Sequence, residues 1–175
     1  MRIGLTGDTH NNINNIAKIC SIFNQEKVDF VVHTGDITLP KSLEAFSMLD
    51  MPLKGVFGNN DQGELKGLNE VCKNYKFDFS NSFRQDFALD RKIYTVHDPL
   101  DITENFYGQG NIILHGHTHR YRNEVFKETH IFNPGECAGL IKGKNSIGVI
   151  SVMDSEMEII KSVSYTHLTL PTIRL

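Results

Sequence analysis

Five times before residue 120, a short apolar run ends in a tight cluster of Asp, His, Asn and Gly. The clusters are Gly7-Asp8-Thr9-His10, Gly35-Asp36, Gly58-Asn59-Asn60-Asp61, His97-Asp98 and Gly116-His117-Thr118-His119. Each run is short and apolar enough to be a buried strand. Parallel strands of an α/β sheet present their carboxyl ends on one edge, where such folds bind ligands. If these strands share a direction, the five clusters meet on one rim.

The pattern between the clusters supports that direction. Arg2–Thr6 reads as a strand. Ile13, Ile16, Ala17, Cys20 and Phe23 then recur at helical spacing, with Asn11 or Asn12 available as the cap. Val28–His33 is a second strand, so the opening segment is a βαβ unit with parallel strands and a right-handed crossover. A helix over Ser42–Leu49 and a strand at Leu53–Phe57 repeat the unit, and Glu64–Lys73 adds a helix. The second half is strand-rich: Phe87–Leu89, Lys92–Val96, Asn111–His115, Asn123–Phe126, Thr129–Phe132, Ile147–Met153 and Met157–Val163, with only Asp101–Tyr107 helical. This order predicts a two-layered sheet with helices outside. One domain is expected over residues 1–163, with 164–175 a loose or non-native tail.

Composition narrows the function classes. The balance of 18 basic and 21 acidic side chains gives −3, so no basic field points to nucleic acid. No run approaches the roughly 20 apolar residues of a membrane helix, and the first residues have no signal-peptide pattern. Cys20, Cys72 and Cys137 are widely spaced and form no Cys-x-x-Cys pair, which predicts buried thiols in a reducing, cytoplasmic compartment.

The clusters themselves have metal chemistry. Asp-x-His and His-x-His on an extended turn can aim both side chains at one centre. Imidazole with carboxylate and amide oxygen suits Mn, Fe, Zn, Ni or Co better than Ca or Mg. Seven candidate ligands exceed the need of one ion and fit two that share a bridge. Any one cluster is commonplace as a turn; the ordered set of five is not.

This set resembles the calcineurin-like metallophosphoesterases, whose motifs Asp-x-His, Gly-Asp, Gly-Asn-x-Asp, His and Gly-His-x-His occur in the same order. The chain's short length, His33-Thr34-Gly35-Asp36 and Phe132-Asn133-Pro134-Gly135 look most like the small YfcE-type phosphodiesterases. The resemblance implies a four-layer α/β sandwich, two central sheets flanked by helices, with the site at its rim. It implies two divalent ions, manganese foremost and nickel, cobalt, iron or zinc as alternatives. Asp8, His10, Asp36 and His119 would hold the first; Asp36 as bridge, Asn59, His97 and His117 the second. Asp61 would orient the turn or a ligand by hydrogen bonding. The implied activity is in-line attack by a metal-bridging hydroxide on a small phosphate ester, most simply a diester. A phosphomonoesterase, a dinucleotide polyphosphate hydrolase and a non-catalytic scaffold like the retromer subunit of this fold are the alternatives.

Three positions depart from the pattern. Asn60 stands where many relatives carry a general-acid His, and a neutral amide cannot protonate a leaving group. Asp98 follows His97 in place of Gly. Glu136 follows Asn133-Pro134-Gly135 in place of a small residue and is expected to narrow the mouth or disfavour dianionic monoesters. His33 and His115 read as buried packing or supporting groups, and His130 as a strand residue without chemistry. His167 lies in the tail. Asn133-Pro134-Gly135 reads as a turn near the rim, and Arg120 and Arg122 as a solvated strand entry.

Overall fold

A computed structural model describes residues 1–141, 143–153 and 157–164, without side-chain detail for the last segment. Of the tail expected over 164–175, Ser164 ends a strand paired with Ser146, and residues 165–175 lie outside the described residues. In chain order the elements are β1 (Arg2–Thr6), α1 (Ile13–Glu26), β2 (Phe30–His33), α2 (Pro40–Glu44), β3 (Leu53–Val56) and α3 (Leu65–Tyr75). They continue with β4 (Asp78–Ser80), β5 (Arg84–Ala88), β6 (Arg91–Thr95), β7 (Ile112–Leu114), β8 (Arg122–Phe126), β9 (Thr129–Asn133), β10 (Ser146–Val152) and β11 (Met157–Ser164).

Two sheets form. One has the order β11-β10-β1-β2-β3-β4, the other β5-β6-β7-β9-β8. In the first, β1 to β4 run parallel and β10 runs antiparallel to β1. In the second, β6, β7 and β9 are parallel. Alternation along β1 sends Ile3 and Leu5 inward, where they pack with Val32, Ile112, Leu114 and Phe132 between the sheets. The opposite face of the first sheet offers Val31, Leu53 and Val149 to Ile16, Ile19 and Phe23 of α1 and to Leu43 and Leu68. A side chain at Gly4 would sit 2.7 Å from the Phe23 ring, so glycine lets that ring lie flat on the sheet. Phe23 is fully buried, and truncating it to alanine would cost about 3–5 kcal/mol.

Local chemistry explains the boundaries. Asn12 caps α1 by accepting from the Asn15 N–H at 3.1 Å, and Lys27 ends it in the left-handed conformation. The helix expected over Ser42–Leu49 starts earlier, with Pro40 preset for a first turn, and tightens to a 3-10 helix over Ala45–Met48. The segment expected to be helical over Asp101–Tyr107 is instead two 3-10 turns, Pro99–Asp101 and Glu104–Phe106. β-Branched Ile102 and Thr103 between them adopt extended angles that a helix cannot contain. These turns cover the outer face of the second sheet, where Phe106 stacks on Tyr94 at 4.5 Å. The architecture is the four-layer sandwich, with a thin 3-10 layer outside the second sheet. Among the described residues no helix is long and apolar enough to cross a membrane.

Candidate metal centre

β1, β2 and β3 of one sheet and β6 and β7 of the other deliver their following turns to one rim. Main-chain bonds tie these turns together: Asp8 N–H to Gly35 O at 2.8 Å, His10 N–H to Asp36 O at 3.0 Å, and Gly116 N–H to His97 O at 3.0 Å. Across the sheets, the buried Asp8 carboxylate accepts the His117 N–H at 2.9 and 3.0 Å.

Five of the seven candidate ligands hold positive φ: Asp8 (48°), His10 (46°), Asp36 (58°), His117 (64°) and His119 (52°). Non-glycine residues rarely adopt that region, and it persists only where surrounding structure enforces it. Asp61 supplies the enforcement at Asp36. Fully buried, it accepts four main-chain N–H groups: Asp36 at 3.0 Å, Gly58 and Ile37 at 2.7 Å, and Thr38 at 2.6 Å. At Gly35 a Cβ would sit 2.7 Å from His97 Nδ1, so glycine is what lets His97 approach.

His97 is the centre of the cluster. Its Nδ1 lies 2.9 Å from the Thr34 carbonyl, which can only accept, so Nδ1 carries the proton. A neutral His97 then presents a bare lone pair at Nε2. Around that nitrogen stand Asn59 Oδ1 at 2.9 Å, His117 Nδ1 at 3.2 Å and Asp36 Oδ1 at 3.4 Å. Asn59 Oδ1 has no proton to offer, so lone pair faces lone pair, which a cation between them resolves. Asp36, His97 and His117 each offer an atom within 4.8 Å of the others, a spacing that can hold a metal ion. The donor set fits an imidazole-binding transition metal.

A second group lies beside it. The rings of His10 and His119 stack at 5.5 Å, and His119 Nε2 is 3.9 Å from Asp8 Oδ1. On its other side, His119 Nδ1 is 3.8 Å from Glu136 Oε1. Burial, reinforced by the negative charge of Asp36, pushes the Asp8 carboxyl up to about 8. Burial also holds His10 below the usual imidazole value, which keeps its lone pair available. An ionised Asp8 in this setting calls for a positive partner.

Residues 1–155 match the family model for the calcineurin-like phosphoesterase superfamily domain. The chain belongs to the calcineurin-like phosphoesterase superfamily. It is 31% identical over 166 residues to the phosphodiesterase MJ0936 of Methanocaldococcus jannaschii, covering 89% of this chain and 96% of that protein. A solved archaeal phosphodiesterase superposes with a TM-score of 0.76 at 29% identity, covering 91% of this chain and 99% of the other. YfcE, a phosphoesterase from E. coli, shares the fold at a TM-score of 0.71 and 20% identity over 94% and 99% of the two chains. So does Zn2+-complexed Vps29 from Entamoeba histolytica, at 0.60 and 18% over 90% and 89%. Membership of a metallophosphoesterase family implies divalent metal ions, and the donors gathered around His97 fit one.

In this calcineurin-like phosphoesterase the three departures have definite places. Asn60 turns its side chain onto Asp36. Asp98 caps the following 3-10 turn through the Leu100 N–H at 2.8 Å and lies 3.6 Å from His117 Nε2. Glu136 is buried, its carboxylate taken by Ala138 N–H at 2.7 Å and Ile141 N–H at 3.3 Å. Its carboxylate folds into its own loop and faces His119.

The supporting histidines are also fixed. His33 accepts from Gly35 N–H at 3.1 Å and donates to Thr9 Oγ1 at 3.0 Å, and burial drives it down to about 3. His115 stands below the motif loop, lowered by burial, with Arg122 at 3.4 Å. His130 is half-buried in β9. Asn133 does more than shape a turn: its amide donates to Gly116 O at 3.0 Å and Thr118 Oγ1 at 3.2 Å, pinning the loop that carries His117 and His119. Thr34 is the residue sequence reasoning misses, because what it contributes is a main-chain carbonyl.

Proposed function

We propose that this chain is a binuclear-metal phosphodiesterase acting on a small phosphate ester in the cytoplasm. Asp8, His10, Asp36 and His119 would hold one divalent ion, and Asp36, Asn59, His97 and His117 the other, with manganese the preferred metal. When bound, such ions supply positive charge to phosphoryl oxygens and acidify water at neutral pH. The observation that carries the reading is the meeting of the His97 lone pair with Asn59, Asp36 and His117 on one rim. The phosphodiesterase names of two relatives, at 31% and 29% identity, support the choice of diester.

The chain's own residues act as holders and orienters. Thr34 fixes the His97 tautomer so that Nε2 faces the site. Asp61 fixes the turns carrying Asp36 and Asn59, and Asn133 the loop carrying His117 and His119. Two divalent ions outweigh the two carboxylates, Asp8 and Asp36, so the loaded rim attracts an anion within a chain of net charge −3. Asn60 offers no acid, which favours esters whose leaving groups depart unassisted. The three cysteines are buried, in keeping with a reducing compartment.

Metal content and turnover, measured together, test this. The expected result is two manganese ions per chain and hydrolysis of bis(p-nitrophenyl) phosphate well ahead of p-nitrophenyl phosphate. Asp36→Asn should lower both metal occupancy and turnover, the latter by orders of magnitude. Full loading with normal rates in that variant would refute the bridge. A folded protein that takes up no metal and hydrolyses neither ester would be a scaffold.

A further inference from the structure

Among the described residues, three cavities open beside the candidate centre, each lined by different ligand histidines. One, of about 550 Å³, leaves His10 between Asn11, Asn12 and Leu140 and is uncharged. Another, of about 370 Å³, leaves His97 and His117 past Asn81, Asp98 and Asp101. The third, of about 310 Å³, leaves His119 between Arg120, Tyr121, Glu136, Lys144 and Ser146. The charged linings are therefore opposed: two carboxylates without a cation on one side, two cations against one carboxylate on the other.

We propose that the substrate is an unsymmetrical phosphodiester that carries a second phosphate on the arm passing His119 toward Arg120 and Lys144, and an uncharged polar arm on the Asp98 side. This rests on the reading of the centre as a phosphodiesterase site and names the substrate class for it.

The cations are available. Arg120 and Lys144 are exposed, and neither side chain makes an ion pair among the described residues, whereas Arg122 beside them is bound to Glu124 at 2.6 Å. Glu136 forms no ion pair with either of them among the described residues: its oxygens accept the Ala138 and Ile141 N–H groups and face His119. A guanidinium takes phosphate in bidentate fashion and a lysine adds a mobile charge. Tyr121, edge-on to Phe132 at 5.9 Å and half-exposed, offers a ring face to the group joining the two phosphates. On the far side, Asp98 and Asp101 repel an anion, so a doubly charged arm has one favourable orientation. The scissile phosphate then enters with its leaving arm fixed.

A matched pair of diesters tests the proposal: the p-nitrophenyl ester of thymidine 5′-phosphate, with and without a 3′-phosphate. The manganese-loaded protein should favour the 3′-phosphorylated ester in kcat/KM on the order of tenfold. Arg120→Ala with Lys144→Ala should bring that ratio toward one. Calorimetry supplies a reading independent of turnover: thymidine 3′,5′-bisphosphate should bind more tightly than thymidine 5′-monophosphate, and the double variant should erase the difference. Equal rates and equal binding, or a preference that survives the double variant, would overturn the proposal. If neither ester is hydrolysed while the binding preference persists and depends on the two cations, the pocket stands and the phosphodiesterase reading falls. If both are hydrolysed equally and the bisphosphate binds no more tightly, the phosphodiesterase reading stands and the pocket falls.

Discussion

The side-chain amide of Asn60 donates to Asp36 Oδ2 across 2.7 Å, while its main-chain N–H donates to Oδ1 across 2.9 Å. The residue that stands where relatives carry an acid is thus committed to the carboxylate proposed as the metal bridge. It steadies Asp36 and has no proton to give a leaving group. Aryl diesters, whose leaving groups depart without a proton, should therefore be hydrolysed much faster than alkyl diesters, which forgo the roughly 10²–10⁴-fold that a placed acid supplies. Asn60→His should raise alkyl rates more than aryl rates at saturating metal. The slope of log kcat/KM against leaving-group pKa is the measurement, and a flat line would defeat the reading: another acid is then present, or a step other than chemistry limits the rate.

Asp61 should be essential for folding as much as for the site. Converting it to Asn turns an amide NH2 toward two of the four main-chain N–H groups it now accepts. Leaving two buried donors without an acceptor costs about 3–5 kcal/mol. Denaturant melts should register that loss in the metal-free protein. A shift below about 1 kcal/mol would mean that those N–H groups have other partners.

Asp8 gives the metal-free protein an unusual pH dependence. Burial and Asp36 raise its folded pKa to about 8 from an ordinary 3.8. A raised pKa means that the folded chain binds the proton more tightly. The stabilisation is complete below about 3.8 and is lost as pH rises through 8. After chelation, the wild type should therefore lose melting temperature relative to Asp8→Asn between pH 5 and pH 8. Parallel curves for the two proteins would refute the shift.

His33 works in the opposite sense. Burial, then the charges of His97 and His10, lower it from 6.5 to about 3. Its stabilisation is present above 6.5 and is lost as pH falls toward 3. Urea midpoints of the wild type should fall faster on acidification than those of His33→Asn, although the variant begins less stable. A variant with the same acid sensitivity would show that His33 accepts a proton without penalty.

Much of this arrangement is legible in the amino-acid order. β1 and α1 follow from period and cap, and the strand-end clusters are visible because polar residues after apolar strands must lie at a sheet edge. Their convergence follows from parallel direction, which the βαβ spacing supplies. The rest depends on contacts that no local pattern encodes. β4 is three residues long with no apolar alternation. The carbonyl that orients His97 belongs to Thr34, 63 residues away in sequence. Glu136 reads as an obstruction at the mouth because its place depends on the loop closing back through Ala138 and Ile141.

The left-handed backbone at Asp8, His10, Asp36, His117 and His119 bears on how such a site can be dissected. Alanine tolerates that conformation less well than Asp or His, so an alanine scan would combine loss of a ligand with an added backbone penalty of roughly 0.5–1 kcal/mol at each position. Asparagine and glycine accept it far better. Glycine replacements would remove the side-chain chemistry while relaxing the main chain. An inactive glycine variant that melts above the metal-free parent would reveal how far these turns are held from their own conformational preference.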